Sequence, residues 1–178
     1  MQTLTLLEGL KFEVTVKRLC YQLIENHPDF SNTVIVGLQP RGIFMANRIC
    51  SELQKIIPKK AVPRGDLDIT FFRDDFRRRE APVVPSSTRM DFIIENKHVI
   101  LVDDVLWTGR TIRAGMDALQ AFGRPAKVEL LVLVDRRFSR QFPIEADYAG
   151  IRIDTIASQK VMVKWAETDG RDAVILNK

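Results

Sequence analysis

A chain of 178 residues has room for one ordinary domain and not for two. With 46% hydrophobic and 28% charged residues it reads as globular, and no apolar run approaches the ~18 residues of a membrane span. A net charge of +4 and a pI near 9.2 suit anionic partners, phosphates or nucleic acid, without excluding any enzyme class.

The N-terminus, MQTLTLLEGLKFE, lacks the basic opening, apolar centre and small-residue cleavage site of a signal peptide, so a cytoplasmic location is expected. Phe12, Val16, Leu19, Cys20, Leu23 and Ile24 recur at helical spacing and predict an amphipathic helix ending near His27-Pro28. VIVGL (Val34 to Leu38) reads as a buried strand, followed by the turn QPRG. A second helix then carries Met45, Ile49, Leu53 and Ile56 on one face. Cys20 and Cys50 sit in these helical patterns and are expected to be buried free thiols, because two isolated cysteines make neither a metal site nor a disulfide framework.

LDITFF (Leu67 to Phe72) reads as another strand. From Arg73 to about Asn96 periodicity is lost, and a loop that long in a compact domain is functional or disordered. HVILV is the next strand, a helix runs from about Thr111 to Phe122 before Gly123 and Pro125, and VELLVLV (Val128 to Val134) is a buried strand. Short strand-like pieces follow: DYAG, IRI, KVMVKW and AVILN. Strand and helix in alternation predict an α/β fold, a parallel-sheet core covered by helices on both faces, with the late pieces forming a small elaboration.

The stretch Val99 to Thr111, VILVDDVLWTGRT, carries the chemistry. Ligands of open parallel sheets bind at the carboxyl ends of strands, where VILV delivers Asp103 and Asp104. The turn that follows offers backbone N–H groups, the hydroxyls of Thr108 and Thr111, the tight turn of Gly109 and a helix N-terminus, which together cradle one phosphate. Carboxylates beside that phosphate need donors to face, and ribose hydroxyls are donors. A phosphorylated ribose therefore accounts for both halves. A nucleotide-hydrolase reading would need a GxxxxGK[ST] loop, which is absent. A receiver-domain reading would place the acids near the first strand.

VILVDDVLWTGRT resembles the signature of the type I phosphoribosyltransferases, which bind phosphoribosyl pyrophosphate (PRPP). More narrowly, DDVLWTGRTIRAGMDAL, LVDR, PIEADY and KVMV, with GLQPRGI and DITFFRDD, resemble the pyrimidine operon attenuation (PyrR) family over nearly the whole chain. The resemblance implies a uracil phosphoribosyltransferase making UMP and pyrophosphate, and a UMP-responsive regulator that binds the pyr mRNA leader. It implies one domain (1–178) of the type I phosphoribosyltransferase fold, with a flexible loop at about 73–96 and a hood mainly from 135–160.

By the same resemblance Asp103, Asp104 and Arg73 are catalytic, and Val105, Leu106, Trp107, Thr108, Gly109, Arg110 and Thr111 hold the 5′-phosphate. Gln39, Pro40, Arg41 and Gly42 hold pyrophosphate, and Val134, Asp135, Arg136, Tyr148 and Ile156 meet uracil. Mg²⁺ comes with PRPP, with no metal ligand assigned to side chains. Trp107 is expected to pack against the loop or a neighbouring subunit, and a homodimer or higher homo-oligomer is implied. Displacing pyrophosphate from C1′ builds an oxocarbenium-like cation, which carboxylates stabilise while Mg²⁺, Arg41 and Arg73 neutralise the leaving group.

Two departures stand out. The pyrophosphate turn reads QPRG where the family resembles KTRG, and Pro40 makes a cis peptide easier to reach there. After LVDR the chain reads RFSRQFPI instead of GHRELPI, and Ile151 and Asp154 replace a lysine and a proline, which weakens an RNA-contacting face. Lys17, Arg18, Arg137, Arg140 and Arg152 are the basic residues left to contact RNA. Two alternatives stay open: mainly an RNA-binding regulator with weak catalysis, or a transferase for a purine base.

Overall fold

The computed structural model describes residues 3–75, 85–156 and 158–177. The chain opens with a strand, β1 (Thr3–Glu8), that buries only Leu7 and left no clear trace in the hydrophobic pattern. Helix α1 (Gly9–Asn26) buries Phe12, Val16, Leu19, Cys20 and Leu23, the expected stripe. It stops before Pro28, whose ring disfavours helical backbone at His27, and the His27 N–H closes on the Leu23 carbonyl at 2.7 Å. β2 (Thr33–Leu38) is buried along its whole length, and α2 (Gly42–Ile56) packs back on the sheet through Met45, Ala46, Ile49 and Leu53. Cys20 and Cys50 are free thiols, and burial pushes them up to about 12 and about 11.

The strand expected over LDITFF lies earlier. β3 is Arg64–Leu67, and Thr70–Phe72 form a 3-10 turn. Asp68 causes the change: its Oδ1 accepts the Thr70 N–H at 3.0 Å and the Thr70 hydroxyl at 2.6 Å, which curls the chain out of the sheet. Part of the expected loop, Arg77, Arg78 and Arg79 included, lies outside the described residues. Residues 85–96 form no regular element, yet their end is not loose: Ile94 is fully buried, and Met90 and Phe92 pack on the same cluster.

β4 (His98–Leu106) is longer than its apolar run and keeps Asp103 and Asp104 inside the ladder, Asp103 opposite Val132 of β5 (Lys127–Arg137). Between them α3 (Arg110–Leu119) and a 3-10 turn (Gln120–Phe122) end at Gly123. DYAG and IRI join into one strand, β6 (Tyr148–Asp154). The order β3-β2-β4-β5-β6 makes a five-stranded, wholly parallel sheet. Helices α1 and α2 cover one face and α3 the other, each over its own apolar cluster.

Of residues 135–160, from which a hood is expected, those in β5 and β6 extend the main sheet. A second sheet consists of β7 (Lys160–Lys164), β8 (Ala173–Asn177) and β1, in the antiparallel order β1-β8-β7, with a short helix α4 (Ala166–Asp169) before β8. Leu7, Val163 and Val174 of this sheet, with Trp165 just after β7, share a core with Phe12 and Met45 of the helices, so β1 and β8 meet over α1 and α2.

Candidate functional site

Parallel strands point their carboxyl ends the same way, so the turns after β2, β3, β4 and β5 converge on one edge. There a cavity of about 720 Å³ opens between the main sheet and β7. Its walls include Asp104, the turn 105–109, Thr111, Arg41 and Arg136.

Gly109 has φ 88°, the left-handed region that favours glycine, and this conformation caps α3. Thr108, Gly109 and Thr111 at this helix start line the cavity, and the Arg110 N–H donates to Thr108 Oγ1 at 3.4 Å. The Arg110 side chain leaves this group. It pairs with Asp74 and Gln141 instead, so only its backbone belongs to the turn. Trp107 is half exposed, with the Arg136 guanidinium 4.7 Å from its ring centre.

Asp103 and Asp104 are 6% and 8% exposed. Burial pushes both carboxyls above the usual range, Asp103 further because Asp104 lies beside it, while the Arg41 guanidinium holds Asp104 back. The Asp104 N–H donates to Asp103 Oδ1 at 2.9 Å. Of the turn Gln39-Pro40-Arg41-Gly42, only Arg41 lines the cavity. Its Nε donates to Asp104 Oδ2 at 3.0 Å, and its Nη2 donates to the Val163 carbonyl of β7. Gln39 spends its side-chain amide on the Ser87 carbonyl at 2.8 Å, and the Gln39–Pro40 bond is cis, the isomer expected from the proline. Gly42 sits against β4: a Cβ there would lie 2.4 Å from the Val102 carbonyl oxygen and 3.2 Å from Asp103 Oδ1. Arg73 is held by Asp75 through two bonds of 2.8 Å, with its charge acting on Asp103.

The expected base-binding set divides. Arg136 alone lines the cavity; it is 3% exposed, and its Nε and Nη2 donate to the Thr155 hydroxyl at 3.0 Å and the Gln159 carbonyl at 2.9 Å. Both acceptors are neutral, and burial draws its pKa below the ordinary arginine value. Val134 points into the core, and Asp135 is engaged by Arg140 and, at 3.6 Å, by Arg152. Tyr148 starts β6 at the far end of the sheet, where its hydroxyl accepts from Asn26 at 3.0 Å. Ile156 is 67% exposed, outside the cavity beside Phe138. What sequence reading missed is the opposite wall, Gln159 to Lys164 with Asp169. KVMVKW is legible as a strand, but nothing local tells which sheet it joins.

The five basic residues assigned to RNA are all partnered. Lys17 lies 3.9 Å from Glu52, and Arg18 donates to the Gly150 carbonyl. Arg137 pairs with Asp154 at 2.7 Å and Arg152 with Asp135. Arg140 is an internal strut: it pairs with Asp135 and donates to the carbonyls of Arg136 at 2.8 Å and Ile144 at 3.0 Å. Lys17 and Arg18 lie on α1, and Arg18 reaches β6, the strand that carries Arg152.

Among the described residues no three His, Cys, Asp or Glu side chains could hold a metal, and no helix is long and apolar enough to cross a membrane.

The phosphoribosyl transferase domain family matches residues 2–168. A protein named "Bifunctional protein PyrR" from Desulfosudis oleivorans is 46% identical over 171 residues, covering 96% of this chain and 94% of its own length. One of the same name from Enterococcus faecalis is 43% identical with the same coverage. A hypoxanthine phosphoribosyltransferase structure from Trypanosoma cruzi superposes with TM-score 0.72 at 16% identity, covering 97% of this chain and 94% of that one. One from Staphylococcus aureus gives TM-score 0.70 at 20% identity, covering 97% and 90%. At such identities the last two speak for the fold alone.

Proposed function

This chain belongs to the phosphoribosyltransferase family and, within it, to the PyrR proteins, and from that membership we propose that it transfers the ribose 5-phosphate of PRPP to uracil, giving UMP and pyrophosphate. One observation carries the reading. A glycine-capped helix start and the buried Asp104 line the same cavity, with the equally buried Asp103 one residue before it on β4.

The 5′-phosphate takes the N–H groups and hydroxyls from Thr108 to Thr111, while Asp103 and Asp104 take the 2′- and 3′-hydroxyls. The C1′ bond to pyrophosphate breaks as uracil N1 takes its place, and the N1 proton is released. The acid pair stabilises the positive charge that builds on the ribose, and Arg41 and Arg73 meet the departing negative charge. Mg²⁺ enters as part of the PRPP substrate and neutralises its phosphates. Such an ion needs only one or two carboxylates beside phosphates and water, which suits an acid pair rather than a cage. The small sheet serves as a hood: the base lies between Arg136 and β7, where a buried guanidinium hydrogen-bonded among the described residues to neutral oxygens suits a carbonyl-bearing ring.

The test is PRPP consumption with uracil, hypoxanthine and adenine in parallel. Uracil is expected to be the best acceptor, and finding it the poorest overturns the assignment. A purine acceptor has less support, since the hypoxanthine enzymes share only 16% and 20% identity with this chain.

A second role as a UMP-responsive regulator on a pyr mRNA leader rests on the word "Bifunctional" in the relatives' names. A gel shift with that RNA at several salt concentrations checks it: nanomolar binding tightened by UMP supports the role, and weak, sequence-indifferent binding removes it. A homo-oligomer is supported by Leu10, Val14 and Tyr21, exposed at 75%, 53% and 54% along one face of α1. Sedimentation that returns only a monomer would exclude it.

A further inference from the structure

Arg110 occupies the sugar-phosphate turn by its backbone but spends its side chain elsewhere. Its guanidinium pairs with Asp74, donates to Gln141 Oε1 at 2.6 Å and lies 5.3 Å from the centre of the Phe142 ring. An isolated exposed ion pair contributes little, because ordering two long side chains offsets the attraction. Here one guanidinium is held by three groups at once, so the side chain is already ordered when it meets Asp74.

Asp74 directly follows Arg73. Arg73 is fastened to Asp75 by two hydrogen bonds, and its charge bears on the buried Asp103. The path from the turn to the acid pair is therefore short and made of named contacts: the Arg110 backbone in the turn, the Arg110 side chain on Asp74, and Arg73 one residue before Asp74.

We propose that Arg110 is a positioning residue that ties the sugar-phosphate turn to Arg73, so that filling the turn and placing Arg73 for the pyrophosphate become one event. Its side chain touches no substrate and acts through Asp74. The inference rests on the proposed seat of PRPP but not on which base accepts the ribose. It makes the two ends of PRPP cooperative: a ligand with both a 5′-phosphate and a pyrophosphate gains from the tie, and one with the 5′-phosphate alone does not.

Calorimetric titration with two probes, PRPP with Mg²⁺ and ribose 5-phosphate, tests this without any acceptor base. The proteins are the wild type, Arg110→Gln, Asp74→Asn and the double variant. Each single change is expected to weaken PRPP about tenfold while leaving ribose 5-phosphate within about twofold, and the double variant is expected to be no worse than either single. Arg110→Lys, which keeps the charge and loses the fork, is expected to recover part of the loss. Equal weakening of both probes in Arg110→Gln would mean that the guanidinium grips the phosphate itself, and the proposal would fail. Additive losses in the double variant would also sink it, because Arg110 and Asp74 would then act separately. Failure of the wild type to bind either probe would remove the seat of PRPP, and this proposal with it.

Discussion

Arg41 Nε lies 3.0 Å from Asp104 Oδ2, so the arginine proposed for pyrophosphate is held by an acid proposed for the ribose. The pair compensates the buried Asp104 carboxylate with a guanidinium whose side chain is 42% exposed. In the proposed complex PRPP is expected to exchange this contact for two new ones, ribose hydroxyls on the acid and phosphate on the arginine.

Arg41→Ala is therefore expected to do two things. It raises KM for PRPP by roughly tenfold or more through the lost anion contact. It also removes the positive charge that holds the Asp104 carboxyl down, so the pH at which activity is lost moves upward. Steady-state kinetics across pH checks both; an unchanged KM removes the role of Arg41.

Both acids ionise above the usual carboxylate range, chiefly because they are buried. The ionised pair is the working form, so kcat/KM for PRPP is expected to fall on the acid side at a higher pH than free carboxyls would give. The stability sign is opposite. A folded pKa raised above the unfolded value gives stability that is present at low pH and lost as pH rises through the folded pKa. Asp103→Asn keeps the oxygen that accepts the Asp104 N–H and removes the buried charge. At neutral pH its Tm is expected to rise by roughly 2–4 °C while turnover falls by orders of magnitude. Near-normal turnover in Asp103→Asn with Asp104→Asn would make the acids structural.

Arg136 is a buried cation that donates to the neutral oxygens of Thr155 and Gln159 and lies 4.7 Å from the centre of the Trp107 ring. Arg136→Met keeps the bulk and drops the charge. Thermal stability is expected to hold or rise, while KM for uracil rises roughly tenfold or more. Titrating uracil at saturating PRPP reads the effect, and an unaltered KM would place the base elsewhere.

At the other end of the sheet, Glu129 Oε2 meets His27 Nε2 at 2.6 Å, Glu129 Oε1 accepts from Lys127 at 2.6 Å, and Thr33 Oγ1 lies 3.1 Å from His27 Nδ1. Burial is the largest single influence on the Glu129 carboxyl and pushes it up, but the hydrogen bonds and charges of Lys127 and His27 together carry it below the usual value. Its stabilisation is thus present above the unfolded pKa and lost as pH falls through the folded one. Glu129→Gln is expected to cost about 1–3 kcal/mol near neutral pH, and less in acid, with kinetics unchanged. Urea melts at two pH values decide it; an equal loss at both would show that the charge of Glu129 plays no part.

Much of this was legible in the residues. Apolar runs with helical or strand periods located α1, β2, α2, β4 and β5, and Asp104 and the glycine turn after it line one cavity. Errors fell where a side chain overrode the pattern or where a partner was distant. Asp68 curled LDITFF out of the sheet, β1 had one buried residue to signal it, Arg110 and Gln39 turned to protein groups far along the chain, and Arg140 turned to Asp135. A basic residue in the sequence looks available until its partner is placed.

The sequence by itself determined the alternating strands and helices and the glycine turn behind two acids, because hydrophobic period, glycine conformation and helix-end polarity act over a few residues. Tertiary structure alone decided what faces that turn. β1, β7 and β8 come from the two ends of the chain, and their pairing depends on burying Leu7, Val163 and Trp165 against α1 and α2. That burial sets β7 opposite Asp104 and makes a cavity out of a bare sheet edge.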